Sequence, residues 1–150
     1  MIEDFENNKI VFVNGKISEI DFQFENKEQI IIEQNKNFDK EESDNSLLSL
    51  NSAFNLNYIK ISVKKGYKSN KPLVIYNYLT DEIDSAVTNI RLDLNLDDNS
   101  SLDVLQVSNK NVNKNFINIC QKFDIAQNAI LKNYILDNEN TKNIKYIYNN

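Results

Sequence analysis

The sequence predicts an all-β protein that forms a solenoid segment of stacked coils, with a short N-terminal hairpin and one short helix before it. Apolar and polar residues alternate in runs of about five, the period of a half-buried strand. These runs recur roughly every ten residues, with small polar turns between them. The corner at residues 97–102 resembles the corner at residues 125–131, and this weak repeat of about 30 residues fits coils stacked on one another.

Residues 1–57 are predicted to lead into the solenoid. The runs from Ile10 to Val13 and from Lys16 to Ile20 flank Asn14-Gly15, which favours a hairpin with a type I′ turn because both central residues need positive φ. Ile30 to Ile32 predicts a short strand. The polar stretch from Asn35 to Asn45 predicts a loop.

The best helix candidate runs from Ser46 to Phe54. Leu47, Leu50 and Phe54 recur on one face of it, so this face is expected to pack against the rest of the protein. Asn45 or Ser46 is predicted to cap its N-terminus.

Residues 58–150 are predicted to form the coils. The predicted strands cover Ile59 to Val63, Leu73 to Tyr78, Ile90 to Leu96, Leu102 to Val107, Ile117 to Ile125, Ala129 to Leu136 and Ile144 to Tyr148. Turns are predicted at Lys65-Gly66, Asp97 to Ser100 and Gln127-Asn128. The last strand pattern ends without a cap, so we expect that a partner covers this end or that the natural protein continues.

Composition narrows the possible functions. The chain has 150 residues and a net charge of −5, which suits one domain and disfavours duplex nucleic acid and anionic membranes as partners. No apolar run is long enough to span a bilayer, and the acidic N-terminus lacks the pattern of an export signal, so a cytosolic protein is expected. Without histidine, catalytic triads with a histidine base and histidine-based zinc sites are excluded within this chain.

Two residues draw attention as candidates for chemistry. Cys120 is the single cysteine, so no internal disulfide is possible. Its position in the strand alternation opposes Ile117 and Ile119, which predicts a half-buried side chain on the other face, with Lys122 as its only basic neighbour. Arg91, the only arginine, is expected to form a structural, bidentate ion pair with an acidic neighbour.

The remaining motifs favour structural interpretations. The acidic stretches Asp81 to Asp84 and Asp97 to Asn99 offer oxygens for Ca²⁺ but are interpreted as solvated turns. Lys64-Lys65-Gly66 lacks the glycine spacing of a P-loop. Paired carboxylates are uninformative in a chain with 22 acidic residues, and the seven tyrosines fit strand propensity better than base stacking. No catalytic, cofactor-binding or metal-binding residue is therefore assigned, and the chain is not expected to be an enzyme.

Five segments, in order along the chain, resemble the SufB/SufD family of iron–sulfur cluster assembly proteins, and SufD most. They are Ile10 to Ile17, Leu50 to Phe54, Ile59 to Gly66 followed by Lys71-Pro72-Leu73, Thr88 to Leu92, and Asn118 to Asp137. The match extends over most of residues 9–148. Arg91 and Gly66 fall on motif positions and are given structural roles.

The resemblance implies a right-handed parallel β-helix within a SufB–SufC–SufD scaffold, present here as a partial chain because family members are longer. It implies a SufB-like subunit and a SufC-like ATPase as partners, contacted through parts of family members that are mostly absent from this segment. Nascent iron–sulfur clusters would form on that complex, with no cofactor bound by this segment. The family's implicated histidine and cysteine positions lie in later coils, so no functional residue is carried over.

Two alternatives stay open. The first is a β-solenoid that binds or cleaves polysaccharide, since many solenoids do so and a fold does not fix a function. The second is an isolated β-sandwich interaction domain, which predicts antiparallel strand pairing throughout.

Overall fold

The computed structural model describes residues 5–35, 44–55, 58–80, 82, 86–110, 114–137 and 144–149. These residues confirm an all-β fold with one short helix, in which the strands form two mixed sheets. In chain order the elements are β1 Asn8–Val13, β2 Lys16–Asp21, β3 Ile30–Asn35, α1 Ser46–Phe54, β4 Tyr58–Val63, β5 Leu73–Leu79, β6 Val87–Leu96, β7 Ser101–Lys110, β8 Phe116–Ile125, β9 Ile130–Asp137 and β10 Ile144–Asn149.

The two sheets divide the strands in an alternating order. The first sheet has the order β2-β1-β5-β7-β9 and the second has the order β10-β8-β6-β4-β3. From β5 onward, each strand lies in the opposite sheet from the strand before it. Only the pairs β1–β2 and β3–β4 are antiparallel, and the other six are parallel. The alternative of a sandwich with antiparallel pairing throughout is therefore wrong.

The predicted N-terminal hairpin is confirmed. Asn14 and Gly15 connect β1 to β2 with φ angles of 52° and 76°, the positive values that a type I′ turn needs. The strand predicted at Ile30 is also confirmed, as β3. Residues 36–43 of the predicted loop lie outside the described residues, as do residues 56–57 at the predicted boundary before the coils, which stays a prediction.

Helix α1 begins and ends where the sequence predicts, but it packs on a different face. Asn45 is the cap, and its Oδ1 accepts hydrogen bonds from the backbone N–H groups of Leu47 and Leu48 at 3.0 and 3.2 Å. The predicted packing face is wrong, since Phe54 is 64% exposed and the buried residues are Leu48, Asn51 and Ser52.

The helix buries a polar face because it lies against the outer side of the second sheet, where it meets backbone groups. Asn51 Nδ2 donates to the carbonyl oxygens of Ile90 at 3.1 Å and Asn118 at 2.9 Å. Asn118 Nδ2 in turn donates to the carbonyl of Leu47 at 2.7 Å. A buried amide satisfies these groups where an aliphatic side chain cannot.

Three turns stack at one corner of the structure. In each, the third residue has positive φ, with values of 75° at Gly66, 58° at Asn99 and 57° at Asn128, as in type II turns. Gly66 N–H donates to the carbonyl of Asp98, and Asn99 N–H donates to the carbonyl of Gln127. The predicted turns are confirmed, and the corners at Asn99 and Asn128 are 29 residues apart, as the weak repeat suggested.

The core lies between the two sheets and is mostly aliphatic. Side chains of paired strands stack in register, as where Leu94 lies between Ile61 of β4 and Phe123 of β8. Strand β4 shows the predicted alternation most clearly, with Ile59, Ile61 and Val63 buried and the residues between them half-buried. Period-two patterning therefore identified the inward face of this strand.

Candidate interaction surface

The end of the two sheets formed by β9 and β10 is the most open part of the described structure. Each of these strands is the last in its sheet and pairs with a neighbour on one side only, within the described residues. Apolar side chains are exposed there, with Leu136 54% and Ile144 68% accessible. Unpaired edge groups beside apolar side chains are a template for another strand.

The outer face of the first sheet continues this apolar surface. Leu136 lies in register with Val107, Tyr76 and Val11 across four strands. The rings of Tyr76 and Tyr78 stack, with centroids 5.8 Å apart and planes 7° from parallel. Leu136 of β9 is thus the outermost member of an ordered apolar row.

Polar groups line the core near the same end. Gln121 Nε2 donates to Gln106 Oε1 at 2.7 Å, and Gln106 Nε2 donates to Asn133 Oδ1 at 3.0 Å. Lys145 of β10 and Asp137 of β9 form an ion pair across the two sheets at 2.5 Å. These contacts hold Asn133 and Asp137 of β9 and Lys145 of β10 in place. The core at this end has fewer apolar side chains than the core between the preceding strands.

Arg91 lies on the outer face of the second sheet and is buried. Its Nε is 3.6 Å from Asp93 Oδ1, two residues along β6, so pairing with an acidic neighbour is confirmed, while the bidentate geometry stays a prediction. The guanidinium also lies 5.9 Å from the centroid of the Tyr58 ring, whose hydroxyl donates to Asp93 Oδ2 at 2.8 Å. Burial, and then this hydrogen bond, raise the pKa of Tyr58 above its usual value.

Cys120 occupies the outward face that its position in the alternation predicts. It is buried, not half-buried, because β8 lies between β6 and β10 and helix α1 packs against the same sheet. Its partner in the strand register is Arg91, a basic neighbour that sequence reasoning missed because the two are 29 positions apart. No group of three or more Cys, Asp or Glu side chains that could hold a metal ion is found in the described part of the chain.

The other candidate motifs fall in turns. Asp98 accepts a hydrogen bond from Lys65 Nζ at 3.1 Å, so the Asp97 to Asn99 stretch and Lys64-Lys65-Gly66 meet at the stacked corners. Of the acidic stretch 81–84, only Glu82 is described. Tyr134 alone among the seven tyrosines is exposed, and the others are buried or half-buried.

One buried carboxylate was not singled out from the sequence. Glu25, just after β2, accepts hydrogen bonds from Asn8 Nδ2 at 2.8 Å and from the Tyr67 hydroxyl at 2.7 Å. It also accepts from the backbone N–H groups of Asn70 and Lys71, both at 3.0 Å. These hydrogen bonds of Glu25, together called the clasp, join the N-terminal segment to the loop before β5. No local pattern marks it, because most of its partners lie more than 40 residues away.

Comparison with known proteins finds no family model that matches the chain and no curated protein with significant similarity. In the described residues, no helix is both long and apolar enough to cross a membrane.

Proposed function

We propose that the chain is a scaffold segment of the SufD type, without catalytic groups of its own, in a cytosolic SufB–SufC–SufD-like complex that assembles iron–sulfur clusters. The cluster is the product of that complex, and no residue of this segment is proposed to bind it. Support comes from the five ordered sequence segments that resemble the family, together with the strand pairing.

The strand arrangement is the observation that carries the proposal. Strands β4 to β10 alternate between two sheets, and every pair among them is parallel. Residues on neighbouring coils lie 29 positions apart at Asp103 and Lys132. We therefore propose a parallel β-helix. The right-handed sense is the one implied by the family resemblance, and it is the common sense of parallel crossover connections.

We propose the surface at β9 and β10 as one contact with the SufB-like partner; a following coil of a longer chain would occupy the same strand edges. The open edges of this surface can extend both sheets by main-chain hydrogen bonding, and its exposed apolar side chains can be buried at the same time. Leu136 lies on the outer face of β9 within an apolar row, so a partner strand added beside β9 would enclose it.

A binding experiment tests the proposal. The full chain is mixed with the SufB-like and SufC-like proteins encoded by the same genome, and complex formation is measured by pull-down and calorimetry. Leu136→Lys is expected to weaken binding to the SufB-like protein at least about tenfold, because a buried unpaired ammonium is costly.

Val87→Lys is the matched control. Val87 is also 54% exposed, but it lies at the start of β6, away from the open end, so this variant should bind as the wild type does. If the wild-type chain binds neither protein, the SufD-type assignment fails. If Leu136→Lys and Val87→Lys bind equally well, the assigned surface is wrong.

The polysaccharide alternative has no specific structural observation in its favour. Stacking of sugar rings needs a row of accessible aromatic side chains, and the exposed aromatic residues of the described structure, Phe5, Phe54 and Tyr134, lie on three different segments.

A further inference from the structure

A cleft of about 470 Å³ lies beside the stacked corners, next to the loop whose backbone N–H groups bind the Glu25 carboxylate. The loop before β5 forms one wall, and the first residues of β7 and β9 form the other. Its size falls within the range of small-molecule sites, roughly 300 to 1,000 Å³. Among the described residues that line it are three lysines, Lys68, Lys71 and Lys132, and the carboxylate of Asp103.

The charges in this cleft are unusual for a chain with a net charge of −5. Lys132 Nζ is 3.4 Å from Asp103, and Lys71 Nζ is 2.6 Å from Glu6. Both are solvent-accessible pairs, which are weak and readily exchanged for another anion. Lys68 is exposed and makes no ion pair with any described residue.

Neutral donors and a small apolar surface complete the cleft. Asn99 and Asn128 are held at its edge by the positive-φ turns, and Asn128 Nδ2 donates to Asn99 Oδ1 at 3.4 Å. In the described structure the side-chain Nδ2 group of Asn99 has no protein acceptor. Pro72 and Ile130 add apolar contact.

We infer that this cleft binds a small molecule that carries a phosphate or sulfate group. Several N–H donors and ammonium groups around one space match the several oxygens and the charge of such a group, and charge-assisted hydrogen bonds are the strong ones. Proline and isoleucine beside them can contact the carbon part of an organic ester. The cleft includes the first residues of β9, Ile130 and Lys132, whereas the partner surface is argued from Leu136 near the other end of that strand, so Leu136→Lys leaves the cleft lining unchanged.

The test is a calorimetric titration of the full chain at low ionic strength with inorganic phosphate, pyrophosphate and ribose 5-phosphate. Saturable binding that weakens as salt is added is expected. Tighter binding of ribose 5-phosphate than of inorganic phosphate would identify an organic ester as the ligand, and equal binding would identify the phosphate group itself. No binding of any of the three probes at about 10 mM, a concentration that fills even millimolar sites, would overturn the inference.

Matched variants locate the site. Lys68→Gln and Lys132→Gln should each weaken binding about tenfold, as expected for loss of one charge-assisted contact. Lys16→Gln removes the same charge from β2, an exposed position outside the cleft, and should change the affinity less than about twofold. Equal losses in Lys16→Gln and Lys68→Gln would show non-specific attraction and overturn the inference. Because all three side chains are exposed, thermal unfolding of each variant should match that of the wild type.

Discussion

Gly15 and Gly66 have nearly identical backbone angles but different surroundings, which makes them a natural pair for mutation. Their φ angles are 76° and 75°. A Cβ atom built on Gly15 would lie 2.6 Å from Cγ2 of Thr88 and 3.4 Å from the carbonyl oxygen of Asn89, whereas one on Gly66 would meet nothing within 4 Å. Alanine at Gly66 therefore introduces backbone strain alone, whereas alanine at Gly15 introduces backbone strain and steric overlap.

The expected costs differ for this reason. Gly66→Ala should lower the free energy of unfolding by about 1–2 kcal/mol, the penalty for an L-residue in the left-handed region. Gly15→Ala carries the same penalty plus roughly 1–3 kcal/mol of overpacking, because Thr88 is buried and cannot move aside freely. Thr88→Ser removes the methyl group that clashes, so it should recover most of the additional cost when combined with Gly15→Ala.

Urea unfolding followed by far-ultraviolet circular dichroism, with tyrosine fluorescence as a second probe, measures these differences. The unfolding midpoint should fall least for Gly66→Ala and most for Gly15→Ala, with the Gly15→Ala/Thr88→Ser double variant between them. Equal free energies for the two alanine variants, within about 0.5 kcal/mol, would refute the packing of the hairpin turn against β6. Failure of Thr88→Ser to improve Gly15→Ala would do the same.

Two further predictions concern buried polar groups. Gln106→Leu should destabilise the protein by about 1–3 kcal/mol because it leaves the buried Gln121 amide without its acceptor, and adding Gln121→Leu should restore most of the loss in urea unfolding. The pKa of Tyr58 is raised in the folded state, so the stability from this group is complete below its unfolded pKa near 10 and is lost as pH rises toward the folded value. Thermal unfolding at about pH 9 and pH 11 should therefore show a smaller drop for Tyr58→Phe than for wild type, and identical drops would contradict it.

Much of the secondary structure could be predicted because its signals are local. Asn14-Gly15 specified the hairpin, Asn45 specified the start of α1, and alternation in β4 specified its inward face.

The candidate sites depended on the tertiary structure. The clasp around Glu25, the pairing of Arg91 with Cys120 and the cleft at Lys68 and Lys132 each join residues far apart in the chain. Helix α1 also shows that local patterns are insufficient. Its apolar residues predicted the packing face, but the face that packs contains Asn51, which donates hydrogen bonds to the backbone of two strands.

The sequence by itself determined where the strands, turns and helix lie and which side chains of the core strands face inward, although β3, β6 and β7 extend three residues beyond a predicted bound. Only the tertiary structure decided which strands are neighbours, and hence which polar and charged groups meet on the outer faces. The reason is that alternation and turn chemistry act between residues a few positions apart, whereas strand register links residues about 30 positions apart through backbone hydrogen bonds that are alike for every side chain.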